Sequence, residues 1–142
     1  MNLRYPAFYD LKRPVREVMT KRLIGIDSKA SFKEGVAKMV EFSISSLVIT
    51  NRDKVVGFIT DTDVKRSVAS GLTPDTKIEQ IMTVDLITVN ISASIREVLE
   101  TMSKNKIKHL LVTEKGKVVG IVTVRDLEHM VRQKLETYIS RE

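Results

Sequence analysis

Lys54-Val55-Val56-Gly57-Phe58-Ile59-Thr60-Asp61-Thr62-Asp63 returns 63 positions later as Lys117-Val118-Val119-Gly120-Ile121-Val122-Thr123-Val124-Arg125-Asp126. Each copy opens as a β-branched run suited to a pleated strand and closes on Thr-x-x-Asp, the pattern of a helix start. Outward from this stretch, the same shift lays residues 18–66 over 81–129 without a gap, and 17 of those 49 positions are identical. Met19-Thr20 over Met82-Thr83 is among the identities. A chain of 142 residues leaves little room for so long a register by chance. The sequence is therefore read as two copies of one supersecondary unit, in which a ligand site in one copy predicts a related site in the other.

Each copy reads β-α-β-β-α, an α+β architecture whose two sheets are expected to pack with pseudo-two-fold symmetry. The first strand lies near Leu23-Ile24-Gly25-Ile26 and Leu86-Ile87-Thr88-Val89. Ser31 with Glu34 and Ser94 with Glu97 form Ser-x-x-Glu boxes, in which hydroxyl and carboxylate satisfy amides that a first helical turn leaves open. Phe32, Val36, Met39 and Val40, and likewise Ile95, Val98, Leu99 and Met102, recur three or four apart and are expected in the core. A hairpin follows in each copy, with polar turns at Asn51-Arg52-Asp53-Lys54 and Glu114-Lys115-Gly116-Lys117. The last helix of the first copy stops at Ser70-Gly71, whereas its counterpart continues through Leu135 and Ile139. The expected divisions are a lead-in over 1–14 containing Tyr5, Phe8 and Tyr9, a first repeat over 15–72, a linker over 73–77 and a second repeat over 78–142.

Composition bounds the function. A net charge of +6 favours anionic partners: nucleotides, nucleic acid or an acidic protein face. No cysteine is present, which removes disulfides, thiolate nucleophiles and thiolate metal sites and agrees with a reducing compartment. No apolar run approaches the roughly 20 residues of a membrane span or resembles a signal peptide. A soluble cytoplasmic protein is the expectation. Catalysis finds little support, because the chain has no glycine-rich phosphate loop, and its two histidines lack metal-ligand spacing. The expectation is a protein that is not an enzyme.

Thr60 with Asp63, and Thr123 with Asp126, carry the candidate chemistry. Each pair puts a hydroxyl and a carboxylate where a strand enters a helix. Open helix amides there favour a phosphate, and an ionised carboxylate can accept two hydrogen bonds from a ribose diol. The same residues also fit a purely structural cap worth about 1 kcal/mol. The roles are compatible.

With this motif repeated, the chain resembles a tandem pair of CBS domains, also called a Bateman module, over residues 15–132. The resemblance implies a regulatory module that binds adenosine-containing ligands (AMP, ADP, ATP, S-adenosylmethionine or a dinucleotide) in clefts between the paired repeats. It also implies association of two modules into a homodimer. Residue by residue, it implies that Asp63 and Asp126 receive ribose hydroxyls and that Thr60 and Thr123 contact ribose or phosphate. Ile24, Ile26, Ile87 and Val89 would supply contacts to adenine. Lys108 and His109 would hold phosphate in the second copy, where the first has Ser45 and Ser46. Arg125 is a further phosphate candidate, and Mg²⁺ would enter only with ATP. The second-motif carboxylate is accordingly expected to matter more. Two readings compete with the sensor: a basic nucleic-acid-binding protein and a ligand-independent dimerisation module. The regulated partner is not named by the sequence.

Overall fold

Runs of consecutive β-branched residues build two hairpins, and a computed structural model describing residues 10–140 places one in each of two compact units. Tyr5, Phe8 and Tyr9 lie outside the described residues. One unit is Leu23–Leu86; the other, in its described part, is residues 10–22 with 87–140. The first contains β1 (Gly25–Asp27), α1 (Phe32–Phe42), β2 (Ser46–Asn51), β3 (Lys54–Thr60) and α2 (Asp61–Ala69). The second contains β4 (Thr88–Asn90), α3 (Ile95–Asn105), β5 (His109–Glu114), β6 (Lys117–Thr123) and α4 (Val124–Ser140). This is the expected α+β order of two β-α-β-β-α repeats.

Among the described residues each sheet has three strands, with β1 parallel to β2 and β2 antiparallel to β3, and with β4, β5 and β6 arranged identically. The parallel pair requires a crossover, which α1 and α3 provide. The middle strands are buried on both faces, as Leu47-Val48-Ile49 and Leu110-Leu111-Val112 show. Leu47, Ile49, Ile59, Met39 and Ile78 form the core of the first unit. Val15, Ile95, Val98, Leu110, Val112, Val122 and Leu127 are central to that of the second.

The compact units do not follow the repeat boundaries, because each lead-in segment serves the other copy. Arg13 and Leu11 carbonyls accept the Ile95 and Arg96 amides at 2.9 and 3.0 Å, and Ala93 accepts the Val15 amide at 2.7 Å. In the other unit the Thr76 and Pro74 carbonyls accept from Phe32 and Lys33 at 2.7 and 3.0 Å, and Ala30 accepts from Ile78 at 2.8 Å. Residues 73–77, expected as a linker, thus satisfy the first amides of α1. Next on each lead-in, Met82 lies over Gly57 and Met19 over Gly120, where any Cβ would meet the methionine sulfur. Two of the longest identities in the sequence, Met-Thr and Lys-Val-Val-Gly, are therefore the two sides of one contact made twice.

Two local expectations are corrected. Ser31 and Ser94 do accept the Glu34 and Glu97 amides at 3.0 and 3.2 Å, but the carboxylates make no returning bond among the described residues. The cap serines are instead bridged to the lead-in segments, Ser31 to Lys77 and Ser94 to Pro14. Val40 is 74% exposed, because the buried line of α1 runs through Phe32, Gly35 and Met39 and leaves the next position outside it.

Candidate functional site

Strand β3 hands over to α2 at Thr60, whose extended backbone makes it the N-cap residue. Thr60 Oγ1 accepts the Asp63 amide at 3.5 Å. In return Asp63 Oδ2 accepts the Thr60 amide at 2.8 Å and its hydroxyl at 3.1 Å. The capping box is complete. One carboxylate oxygen is thereby fixed, while Asp63 Oδ1 accepts no hydrogen bond among the described residues.

The junction of β6 with α4 repeats this geometry. Asp126 Oδ2 accepts the Thr123 amide at 2.9 Å and hydroxyl at 3.2 Å, and Thr123 Oγ1 accepts the Asp126 amide at 3.3 Å. One contact is added: the Thr20 hydroxyl donates to Asp126 Oδ1 at 3.0 Å. Thr20 reaches it because the lead-in pairs with β6, exchanging backbone bonds with Ile121 at 2.8 and 3.0 Å. Thr83 is held beside Phe58 by the same pair of bonds, yet its hydroxyl donates to no group among the described residues. Thr20 is the site residue that sequence reasoning missed. Its signal was the repeated Met-Thr, but 106 positions separate it from its partner.

The expectation of open helix amides is largely overturned. The Asp61 amide donates to Ser45 O at 3.0 Å and the Val124 amide to Lys108 O at 3.1 Å. The Asp63 and Asp126 amides are taken by threonine hydroxyls, which leaves those of Thr62 and Arg125 in the first three. A phosphate there must be held chiefly by side chains.

Strand register determines which expected residues meet. His109 pairs with Thr123 and Ser46 with Thr60, and Lys108 and Ser45 immediately precede them. Lys108, His109, Thr123, Arg125 and Asp126 therefore gather at one end of the β4-β5-β6 sheet. Lys108 and Arg125 are exposed there, and His109 is half-buried. Ile24 and Ile87 stand just before β1 and β4, which run parallel to β2 and β5, so both come to the same sheet ends. The Ile24 carbonyl accepts the Val48 amide at 3.1 Å, and Ile87 is 38% exposed. Ile26 and Val89, two residues further on, pack against the cores of their units. Their side chains serve the core.

The two ends differ in charge. The first carries Asp61 and Asp63 beside Ser45 and Ser46, with Lys65 and Arg66 exposed farther along α2; the second carries Lys108 and Arg125 around Asp126, with Glu128 and His129 exposed farther along α4. Among the junction residues themselves, two carboxylates stand beside two serines at the first end while Lys108 and Arg125 flank Asp126 at the second, so Coulomb attraction nearest the caps favours a phosphate at the second end.

Comparison with known proteins places the chain in a wider group. The CBS domain model matches residues 15–70 and 78–132. A conserved protein from Pyrococcus horikoshii, solved as a crystal structure, is 43% identical with a TM-score of 0.84 over 87% of this chain and 96% of that one. The CBS domain pair of protein MJ0100, in complex with 5-methylthioadenosine and S-adenosyl-L-methionine, is 30% identical with a TM-score of 0.77, over 85% of this chain and 97% of that one. CBS domain protein PAE2072 from Pyrobaculum aerophilum, complexed with AMP, is 25% identical with a TM-score of 0.76, over 87% and 98%. Of three curated relatives, the chain spans 70%, 42% and 22% of the length.

Proposed function

The chain belongs to the CBS-domain family, and from that membership we propose that it is a regulatory module binding adenosine-containing ligands at its two Thr-x-x-Asp ends. The observation that carries the reading is the division of labour within each carboxylate. Oδ2 is locked by the threonine cap, which orients the group, and Oδ1 is turned away from the cap. A carboxylate held in this way presents a preorganised acceptor to the 2′ and 3′ hydroxyls of a ribose without first losing side-chain freedom. Solved relatives with AMP, 5-methylthioadenosine and S-adenosylmethionine support adenosine as the shared element of the ligand.

Each residue's role follows from its place. Asp63 and Asp126 receive the ribose, and Thr60 and Thr123 hold them. Ile24 and Ile87 offer apolar surface at the same sheet ends. Lys108, Arg125 and His109 hold phosphate at the second end, while a divalent cation would arrive only on the phosphates of ATP. Because each carboxylate is spent on a cap and a diol, the assignment is binding and not turnover. A ligand shifts the module between arrangements only through its differential affinity for them, and a partner reads the shift. The exposed Leu135 and Ile139 of α4 supply apolar surface for a homodimer.

Thermal unfolding tests the reading. A ligand that binds only the folded chain at 100 times its Kd stabilises it by about 2.7 kcal/mol. AMP, 5-methylthioadenosine or S-adenosylmethionine should raise Tm in the wild type but not in the Asp63→Asn/Asp126→Asn double variant. Equal shifts in both proteins would remove the carboxylates from the site.

A further inference from the structure

The two carboxylates, alike in their caps, differ in one contact: Asp126 Oδ1 already accepts a hydrogen bond from Thr20 at 3.0 Å, and Asp63 Oδ1 accepts none among the described residues. We infer that Thr20 is an internal competitor for the ribose, occupying with its own hydroxyl the acceptor that a ligand diol needs, and so makes the Asp126 end the weaker of the two for the nucleoside part of a ligand. This rests on the adenosine-binding reading and adds an affinity-determining residue to it.

Acceptor capacity sets the competition. Oδ2 of Asp126 is committed to the Thr123 amide and hydroxyl at 2.9 and 3.2 Å. Oδ1 can accept two hydrogen bonds, and Thr20 takes one of them. A ribose presenting two hydroxyls must either forgo one bond or displace Thr20, whereas at Asp63 both positions are open. The donor is held in reach because the Thr20 backbone is paired with Ile121, so its hydroxyl returns whenever the ligand leaves. Thr83 is paired identically with Phe58, and its hydroxyl contacts no carboxylate among the described residues. Lys108 and Arg125 lie at the end that Thr20 obstructs. A phosphate there offsets the competition, so this end discriminates against adenosine compounds that lack one.

Calorimetric titration in an Asp63→Asn background, which leaves only the Asp126 end to report, tests the inference with AMP and 5-methylthioadenosine as probes. Thr20→Val removes the hydroxyl while keeping the β-branched shape and the backbone pairing. It should tighten binding of both probes about 3- to 10-fold, the range expected for freeing one partly exposed hydrogen bond. Thr20→Ser should bind as the parent does. Thr83→Val, titrated in an Asp126→Asn background, should leave the Asp63 end unchanged. If Thr20→Val binds equally or more weakly, the inference is overturned, and weaker binding makes Thr20 a donor to the ligand instead. If the Asp63→Asn protein binds neither probe with or without Thr20→Val, the adenosine reading of this end fails, and the inference fails with it.

Discussion

Asp63 performs two tasks with two oxygens, and substitution separates them. Asn keeps an oxygen to accept the Thr60 amide but turns an amide donor towards the diol, whereas Ala removes the acceptor altogether. Asp63→Ala should therefore cost about 1 kcal/mol of stability and Asp63→Asn less than half of that, although both abolish ligand binding at this end. Denaturant midpoints measured beside titrations check the split, and equal stability losses would mean that the carboxylate does not cap. Ser28 makes a second residue-scale test. It is buried at 2% exposure, and its hydroxyl has no hydrogen-bond partner among the described residues, whereas the equivalent position in the other repeat is Ile91, packed against the core. Ser28→Ala removes a buried polar group that gains nothing from burial and should stabilise the chain by about 1 kcal/mol. A loss of stability would show that the hydroxyl has found a partner. The cap residues and the repeated Thr-x-x-Asp were legible in the sequence because their partners lie three positions away.

At the scale of elements, the hairpins and crossover helices were legible for the same reason, local periodicity, and what escaped was how neighbouring elements compensate one another. Both hairpin turns take positive φ at two successive residues, Arg52 (51°) and Asp53 (65°) in one, Lys115 (51°) and Gly116 (78°) in the other. Only the second has glycine where the left-handed conformation is free of Cβ strain. Asp53→Gly should raise stability by about 0.5–1 kcal/mol, read as a higher denaturant midpoint; a lower one would mean that the aspartate side chain holds the turn. Helix α1 has Gly35 where α3 has Val98, and the lead-in that meets α1 has Ile78 where the other has Val15. A Cβ on Gly35 would lie 2.4 Å from Ile78 Cδ1, so the small residue and the large one are matched in volume. Gly35→Val should cost about 1–3 kcal/mol by overpacking, and Ile78→Val in the same chain should recover most of it. Additive losses in the double variant would refute the matching. The exposure of Val40 was missed at this scale too, since an apolar residue at helical spacing reads as core until the packed neighbour defines the buried line.

For the whole molecule, the repeat in the sequence and the unit in space are different divisions of the chain. Residues 23–86 include Ile78 and the Pro74 and Thr76 carbonyls that complete α1, which a fragment of residues 15–72 lacks. The 23–86 fragment should accordingly unfold cooperatively and at higher denaturant than the 15–72 fragment; the reverse order would mean that the exchanged lead-in contributes nothing. This exchange was not legible, because Met19-Thr20 and Met82-Thr83 are identical and so are Gly57 and Gly120. Identical residues give a sequence no means of saying which methionine meets which glycine. The contact of Thr20 with Asp126 was hidden by the same degeneracy. The central claim is that two capped carboxylates receive the ribose of an adenosine ligand, and calorimetric titration of the full chain with AMP tests it most directly. The account predicts saturable binding in the wild type, partial loss in Asp63→Asn and in Asp126→Asn, and none in the double variant with its fold intact. AMP binding that survives in the double variant would contradict it.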